Sequence, residues 1–316
     1  VNVHVARAAF LTTVQDLGRT GSRIFGVSSG GALDPHALRV ANLLVGNDEN
    51  AAGIEITFGG LQLRFADERR VAWCGGDFDV RVPAGHVGVM RAGDELIFNR
   101  PKMGCRSWLA ISGGIDVPVV LGSRSTDLRA KFGGLEGRAL QDGDDIALGE
   151  FRRSQTDATE TVSSWSAPYD WSQTAKAEPV LRFVRGVAWE RFENANALTR
   201  ENFSVTADSN RMGARLEGPV LRRNEDVDLV SEAVAPGTIQ VPPSGQPIVL
   251  LGDCQTIGGY PKIAHVITVD LPIAAQLHAE DRVRFREVSL AEAHQLLWQR
   301  ERDLQCFKTG LSLRAR

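Results

Sequence analysis

What this chain lacks narrows the field first. Its 316 residues include four cysteines, Cys74, Cys105, Cys254 and Cys306, scattered with no C-x-x-C pair, so neither a zinc knuckle nor a thioredoxin-like motif is available. The histidines, His4, His36, His86, His265, His278 and His294, show no paired spacing with carboxylate or thiol, which leaves no metal-ligand motif. Basic residues are not in excess. With 36 Lys and Arg against 39 Asp and Glu, the formal net charge of -3 argues against phosphate neutralisation, and so against nucleic acid as a partner. No apolar run nears the length that spans a bilayer, and no charged segment followed by an apolar one stands at the start, so the reading is a cytoplasmic chain with no membrane partner and reduced thiols. Walker A, Rossmann, kinase and nucleophile-elbow patterns are all missing.

What is present is an ordinary soluble composition, 43% hydrophobic and 24% charged, in a chain long enough for two domains with cores of their own. From Gly53 to Leu148 the text is β throughout: GIEITF, LQLRF, VAWCGG, DFDVRVP, HVGVM, ELIFNR, RSWLAISGG and DIALG are short runs punctuated by glycine, proline or aspartate. Strands at this spacing with no helical insertion predict a barrel or sandwich. One phrase recurs. Residues 92–98, 142–148 and 279–285 each read as a turn, an aspartate and an alternating strand, which points to two related β-barrels. The segment 151–178 shifts to Ser, Thr, Ala and charge without a period and reads as a linker. The boundaries are then a first β domain over 1–152, a linker over 153–178, a second β domain over 179–288, and a C-terminal helix and tail over 289–316. Asp34 with Pro35 predicts a capped helix over 35–44, Trp189 to Leu198 a short helix, and Ser289 with Glu292 a capping box opening a helix over 289–304.

The densest chemistry lies in GTIQVPPSGQPIVLLGDCQTIGGYPKIAHV, residues 237–266. A buried strand, Ile248 to Leu251, runs into a loop where Asp253, Gln255, Thr256, Tyr260 and Lys262 are spaced by glycines that tolerate φ > 0 or close approach of a ligand. Gln240 and Gln246 flank a Pro-Pro-Ser-Gly turn. A hairpin with solvated polar tips would explain the same letters; the count of amides, hydroxyls and an ammonium on rigidly held loops favours a binding surface. Elsewhere Gln15, Asp16 and Arg19 gather at a strand end, where Asp16 and Arg19 could equally brace the loop as an ion pair. Arg124 and Ser125 sit in a Gly-Ser-Arg-Ser-Thr loop suited to an anion, or to holding loops together through backbone carbonyls. Arg211, Arg215 and Glu217 share one face if their segment is extended. Asp34 reads as a helix cap that a cleft could also use. The candidates are therefore Tyr260, Lys262 and Asp34 for catalysis, and Gln15, Asp16, Arg19, Arg124, Ser125, Arg211, Glu217, Gln240, Gln246, Gln255 and Thr256 for substrate, with Lys262 needing a depressed pKa to serve as a base.

Read in order, TTVQDLGRTG, GVSSGGALD, ANLLVGN, GGIDVPVVLGSRST, SNRMGARLEGP, SEAVAPGTIQVPPSGQPIVLL and QTIGGYPKIAHVI resemble the biotin-dependent carboxyltransferase family. That family takes in the C-type component of 5-oxoprolinase (PxpC), KipA-type proteins and the allophanate hydrolase subunit 2 or urea amidolyase-related proteins. The resemblance runs from about Phe10 to Phe285 and implies two cyclophilin-like β-barrels. It implies ATP-dependent ring opening of 5-oxoproline to glutamate, or hydrolysis of a related small amide. ATP would be used in an assembled complex with a PxpB or KipI-type subunit (allophanate hydrolase subunit 1) and a PxpA-type subunit. Two alternatives come with it: a KipA-like module that sequesters a kinase inhibitor, and the carboxyltransferase component of a urea carboxylase-like complex. Biotin would ride on another protein, because the Met-Lys-Met acceptor is missing and Lys102-Met103 lacks its first methionine. Gly30 and Leu33 depart from the family's Ser and Met, Asn210 and Ala214 from its Asp and Tyr, and Cys254 from its Arg.

Overall fold

The computed structural model describes residues 2–151, 161–225 and 229–314, and there the chain is mainly β with a few short helices and one long one. It falls into two compact units. One combines Val1–Arg19, Gly30–Ala175 and Asp303–Arg316; the other combines Thr20–Ser29 with Lys176–Arg302.

In the first unit the strands divide between two antiparallel sheets. One has the order Glu95–Ile97, Gln62–Phe65, Asn2–Arg7, Asp145–Ala147; the other runs Val162–Ser166, His86–Met90, Arg69–Phe78, Pro101–Ile111, Gly53–Thr57, Leu11–Gln15. Alternation along Asn2–Arg7 sends Val3 and Val5 inward and leaves Asn2 and Arg7 outside, as a strand with one wet face requires. Both sheets contribute to one core, Val3, Val5, Leu63, Phe65, Leu96 and Ile146 from the first and Val14, Ile54, Ile56, Trp73, Leu109 and Ile111 from the second. Trp73 anchors it, edge-on to Phe98 at 5.5 Å and to Phe78 at 6.2 Å, with its indole N–H donating to the Val82 carbonyl at 2.7 Å. The helix Pro35–Val45 starts where the cap predicts: Asp34 accepts from the Ala37 amide at 2.8 Å and Gly46 ends it at φ 81. It lies on the strands Arg69–Phe78 and Pro101–Ile111. Gly53 permits this closeness, since a Cβ there would stand 2.9 Å from Leu38 Cδ1 and 2.5 Å from the Leu109 carbonyl oxygen.

The second unit closes into a barrel ordered Val180–Arg185, Lys262–Val266, Thr238–Gln240, Ile248–Leu250, Gly213–Glu217, Phe203–Val205, Arg282–Glu287. Its seam is the parallel pair Val180–Arg185 with Arg282–Glu287, and the other pairings are antiparallel. Phe183 and Phe203 both pack edge-on to Phe285, at 6.4 and 5.9 Å, and Trp189 stacks on Phe183 at 5.7 Å.

The recurrent phrase is one turn built three times. Asp94, Asp144 and Asp281 each accept, through Oδ2, the amide three residues back, from Arg91 at 2.9 Å, Gln141 at 2.7 Å and His278 at 2.9 Å. Each turn then clasps a neighbouring strand with two backbone bonds, to Phe65, Val5 and Val205 respectively. The residue before the aspartate is left-handed each time: Gly93 at φ 87, Gly143 at φ 88, and Glu280 at φ 75.

Two elements differ from the sequence reading. Residues 189–198 form a 3-10 turn, Trp189–Arg191, and a separate helix, Ala197–Arg200, because Phe192 and Glu193 pair their backbones with Arg223 and Arg222 instead of continuing a helix. The C-terminal helix opens on Ser289, whose Oγ accepts from Glu292 N at 3.1 Å, but runs on to Arg314. Of the stretch read as linker, 153–160 lies outside the described residues, while Val162–Ser166 pairs with His86–Met90.

Candidate functional site

In the first unit the candidate residues meet around one carboxylate. Asp16, 3% exposed, accepts at Oδ1 from Ser123 Oγ and Ser125 Oγ at 2.6 Å each and from Gly18 N at 2.8 Å, and at Oδ2 from Arg124 N at 2.6 Å. The strand end at Gln15 and the loop at Ser123–Ser125 are thereby pinned together. Arg19 belongs to the same knot, donating to the Ser125 carbonyl and lying over the Phe132 ring at 4.5 Å. Arg124 donates from Nε to the Val117 carbonyl at 3.0 Å and faces Asp116 at 3.6 Å. Gln15 is fully buried; its Nε2 donates to Thr13 Oγ1 at 3.0 Å, and its Oε1 has no protein hydrogen-bond partner. Asp34 caps its helix. In the Gly122–Thr126 loop, whose composition suits either an anion or the bracing of loops, the hydroxyls of Ser123 and Ser125 and the Arg124 amide are all engaged by Asp16. That donor set does not fit a nucleotide phosphate.

The remaining candidates lie in the second unit. Across the barrel strands Gln240 stands opposite both Ile248 and Lys262. Its buried amide donates to the Tyr260 carbonyl at 3.2 Å and accepts from Gln255 Nε2 at 3.2 Å, so the two glutamines form a linked amide pair beside Gly258. Thr256 and Tyr260 flank the two-residue strand Ile257–Gly258, which pairs with Glu232–Ala233 in a small ribbon; the Tyr260 side chain is exposed. Lys262 donates from Nζ to Glu232 Oε2 at 2.5 Å and to the Ala233 carbonyl at 3.3 Å. That ammonium holds the Glu232 carboxyl below the usual range, through the hydrogen bond first and its charge second. His265, further along the same strand, is pushed below the ordinary imidazole value by burial and then by the Lys262 charge.

Arg211 does not share a strand face with Arg215 and Glu217. A bridge between Asn210 and Gly213 turns the chain before the strand begins, so Arg211 is buried and bidentate to Asp253 at 2.8 and 3.1 Å, while Arg215 and Glu217 point outward. Gln246 staples the backbone of Gly218, donating at 3.0 Å and accepting at 2.8 Å.

Three residues escaped the sequence reading. Arg23 comes from the Thr20–Ser29 excursion and donates to the carbonyls of Val234 and Gln255, fastening the ribbon and the Gln255 loop; nothing local announces it. It also opposes the upward push that burial gives the Cys254 thiol. Glu232 stands in the quoted SEAVAPG phrase, but its partner is thirty positions away. Glu55 did leave a signal, a carboxylate inside the wholly buried strand Gly53–Thr57, where it accepts from Leu33 N at 3.1 Å and Trp108 Nε1 at 2.8 Å.

The second-unit arrangement thus offers an ammonium, two coupled amides and an exposed phenol on loops and strand ends. These are group types that hydrogen-bond small polar molecules and favour negative charge. Among the described residues no cluster of His, Cys, Asp and Glu could hold a metal, and no helix is long and apolar enough to cross a membrane.

Comparison with known proteins agrees with the motif reading. The chain is 43% identical over 296 residues to the C-type component of 5-oxoprolinase from Escherichia coli (strain K12), covering 92% of each chain. It is 38% identical over 289 residues to the corresponding 5-oxoprolinase component of Haemophilus influenzae, covering 90% of each. The crystal structure of the K. lactis urea amidolyase superposes with a TM-score of 0.89 at 28% identity, over 97% of this chain but only 20% of that one. Residues 25–287 match the family described as carboxyltransferase domain, subdomain A and B, and the chain belongs to that family.

Proposed function

We propose that this chain is the C-type component of an ATP-dependent 5-oxoprolinase, acting in a cytoplasmic assembly with a PxpB or KipI-type subunit and a PxpA-type subunit. The observation that carries the reading is the near full-length similarity to the C-type components of two bacterial 5-oxoprolinases. The chemistry is hydrolysis of a lactam: the ring C–N bond breaks, water oxygen joins the carbonyl carbon, the nitrogen takes a proton, and glutamate results. Lys262 supplies a cation for negative charge on the substrate, and the Gln240–Gln255 pair supplies amide donors and acceptors of the kind that orient a lactam. An ammonium already held by a carboxylate suits a hydrogen-bond donor better than a general base. ATP is handled elsewhere in the assembly, consistent with the engaged donors of the Gly122–Thr126 loop.

The test is turnover of 5-oxoproline with ATP by the reconstituted complex. Lys262→Met should lower kcat/KM by about a hundredfold or more, the scale of losing one charge-stabilising donor. No turnover with every subunit present would sink the reading and favour a KipA-like binding module. The similarity to urea amidolyase supports one other reading, carboxyl transfer to urea; turnover of urea that depends on bicarbonate and a separate biotin carrier would establish it instead.

A further inference from the structure

The Lys262 ammonium is occupied by a carboxylate of its own chain, and that carboxylate is held from the water side. The Lys262 side chain is 15% exposed whereas that of Glu232 is 61% exposed, so the cation is fixed in the wall and the anion sits at the water side. Glu232 rides on a strand of two residues, paired to Ile257–Gly258 and exposed along its length. Beyond that pairing, the ribbon is fastened by Lys262 at Glu232 and Ala233, by Arg23 at the Val234 carbonyl, and by the Val234 amide to Thr256 at 3.1 Å. Among these ties of the described residues, Glu232 supplies the acidic side chain. The charge of Arg191 also favours the ionised form of Glu232, after the larger effect of Lys262. Arg191 lines a cavity of about 370 Å³ together with Glu190, Arg223 and Pro261, the last being the chain neighbour of Lys262.

We infer that Glu232 stands in for a carboxylate of the ligand: a small carboxylate-bearing substrate displaces it from Lys262, and this exchange loosens the Glu232–Ala233 strand and selects anionic amides over neutral ones such as urea. The inference deepens the 5-oxoprolinase reading and rests on it for the identity of the ligand, because 5-oxoproline carries one carboxylate besides its lactam. Linkage makes it quantitative. A ligand that must first evict Glu232 binds more weakly by the fraction of molecules in which Lys262 is open, so any change that opens the pair tightens the ligand by the same factor. Glu232→Gln keeps the shape and one carbonyl oxygen that can accept from Lys262, while it removes the charge and turns the other oxygen into a donor, which makes it the informative substitution.

The test uses the full chain and two readouts. Backbone hydrogen exchange over residues 231–234 and 256–259 should rise about three- to tenfold in Glu232→Gln, the scale of one hydrogen bond's net contribution at an exposed site, with Ile248–Leu250 unchanged as an internal reference. Calorimetric binding of 5-oxoproline should tighten by a similar factor in Glu232→Gln and be lost in Lys262→Met, whereas 2-pyrrolidinone, which lacks the carboxylate, should not respond to Glu232→Gln. Adding 5-oxoproline to the wild type should raise exchange in the ribbon. Unchanged ribbon exchange in Glu232→Gln, or carboxylate binding that weakens instead of tightening, overturns the displacement. If L-glutamate opens the ribbon and tightens in Glu232→Gln while 5-oxoproline does neither, the displacement stands and the lactam reading falls.

Discussion

A single aspartate shows how misleading a polar letter can be when its partners are out of sight. Asp16 reads as a substrate or ion-pair residue, yet its two oxygens accept from Ser123, Ser125, Gly18 and Arg124, and it is 3% exposed. Replacing one carboxylate oxygen by an NH2 turns an acceptor into a donor facing donors and removes the charge that strengthens every bond. Asp16→Asn should therefore cost about 3 kcal/mol, the scale of breaking a buried charge-assisted network. Urea unfolding of the variant checks it; a midpoint unchanged from wild type would show that the knot at Asp16 is ornamental. Arg211 follows the same logic, since its bidentate bond to Asp253 makes it part of the loop that carries Gln255. The sequence did announce residues whose partner is local: Asp34 as a cap and Ser289 opening a capping box each act on an amide three positions on. It left the roles of Asp16, Arg23 and Glu232 open because the partners that define them, Ser123, Val234 and Lys262, lie 107, 211 and 30 positions away along the chain.

At the scale of elements, the Asp-bearing turn is the unit the fold repeats. Its left-handed position is glycine at 93 and 143, where a Cβ would meet nothing within 4 Å, and glutamate at 280. The cost at these positions is therefore purely one of backbone conformation. Gly93→Ala and Gly143→Ala should each destabilise by about 1 kcal/mol, and Glu280→Gly should stabilise by up to about 1 kcal/mol, the left-handed penalty less the entropy glycine loses on folding. Thermal unfolding of the three variants decides it: equal shifts of one sign for all would mean that the turns are not the same structure. These turns were legible in the sequence since a turn's donor, acceptor and glycine are consecutive letters. The segment 189–198 was not, because its helix-like spacing competes with backbone pairing to 222–223.

Over the whole molecule, burial sorts the thiols. Cys74, Cys105 and Cys254 are buried and Cys306 is exposed on the C-terminal helix; burial pushes the Cys74 thiol far above its ordinary range and raises Cys254 despite Arg23. One thiol per chain should react with an aromatic disulfide reagent in the native protein and four after denaturation, and fast modification of a second native thiol would show that one of the two cores opens readily. The short β runs between Gly53 and Leu148, the three Asp-bearing turns, the helix caps at Asp34 and Ser289 and the family itself were legible in the letters alone, because each is written in residues within a few positions of one another or in a fixed succession of short phrases. Tertiary structure alone decided that Ser123 and Ser125 serve Asp16, that Arg23 fastens the second unit and that Lys262 faces Glu232. The physical reason is that a side chain's hydrogen bonds go to whatever the folded backbone brings within about 3 Å, and pairing across a β-structure brings together residues whose spacing in the chain carries no signal.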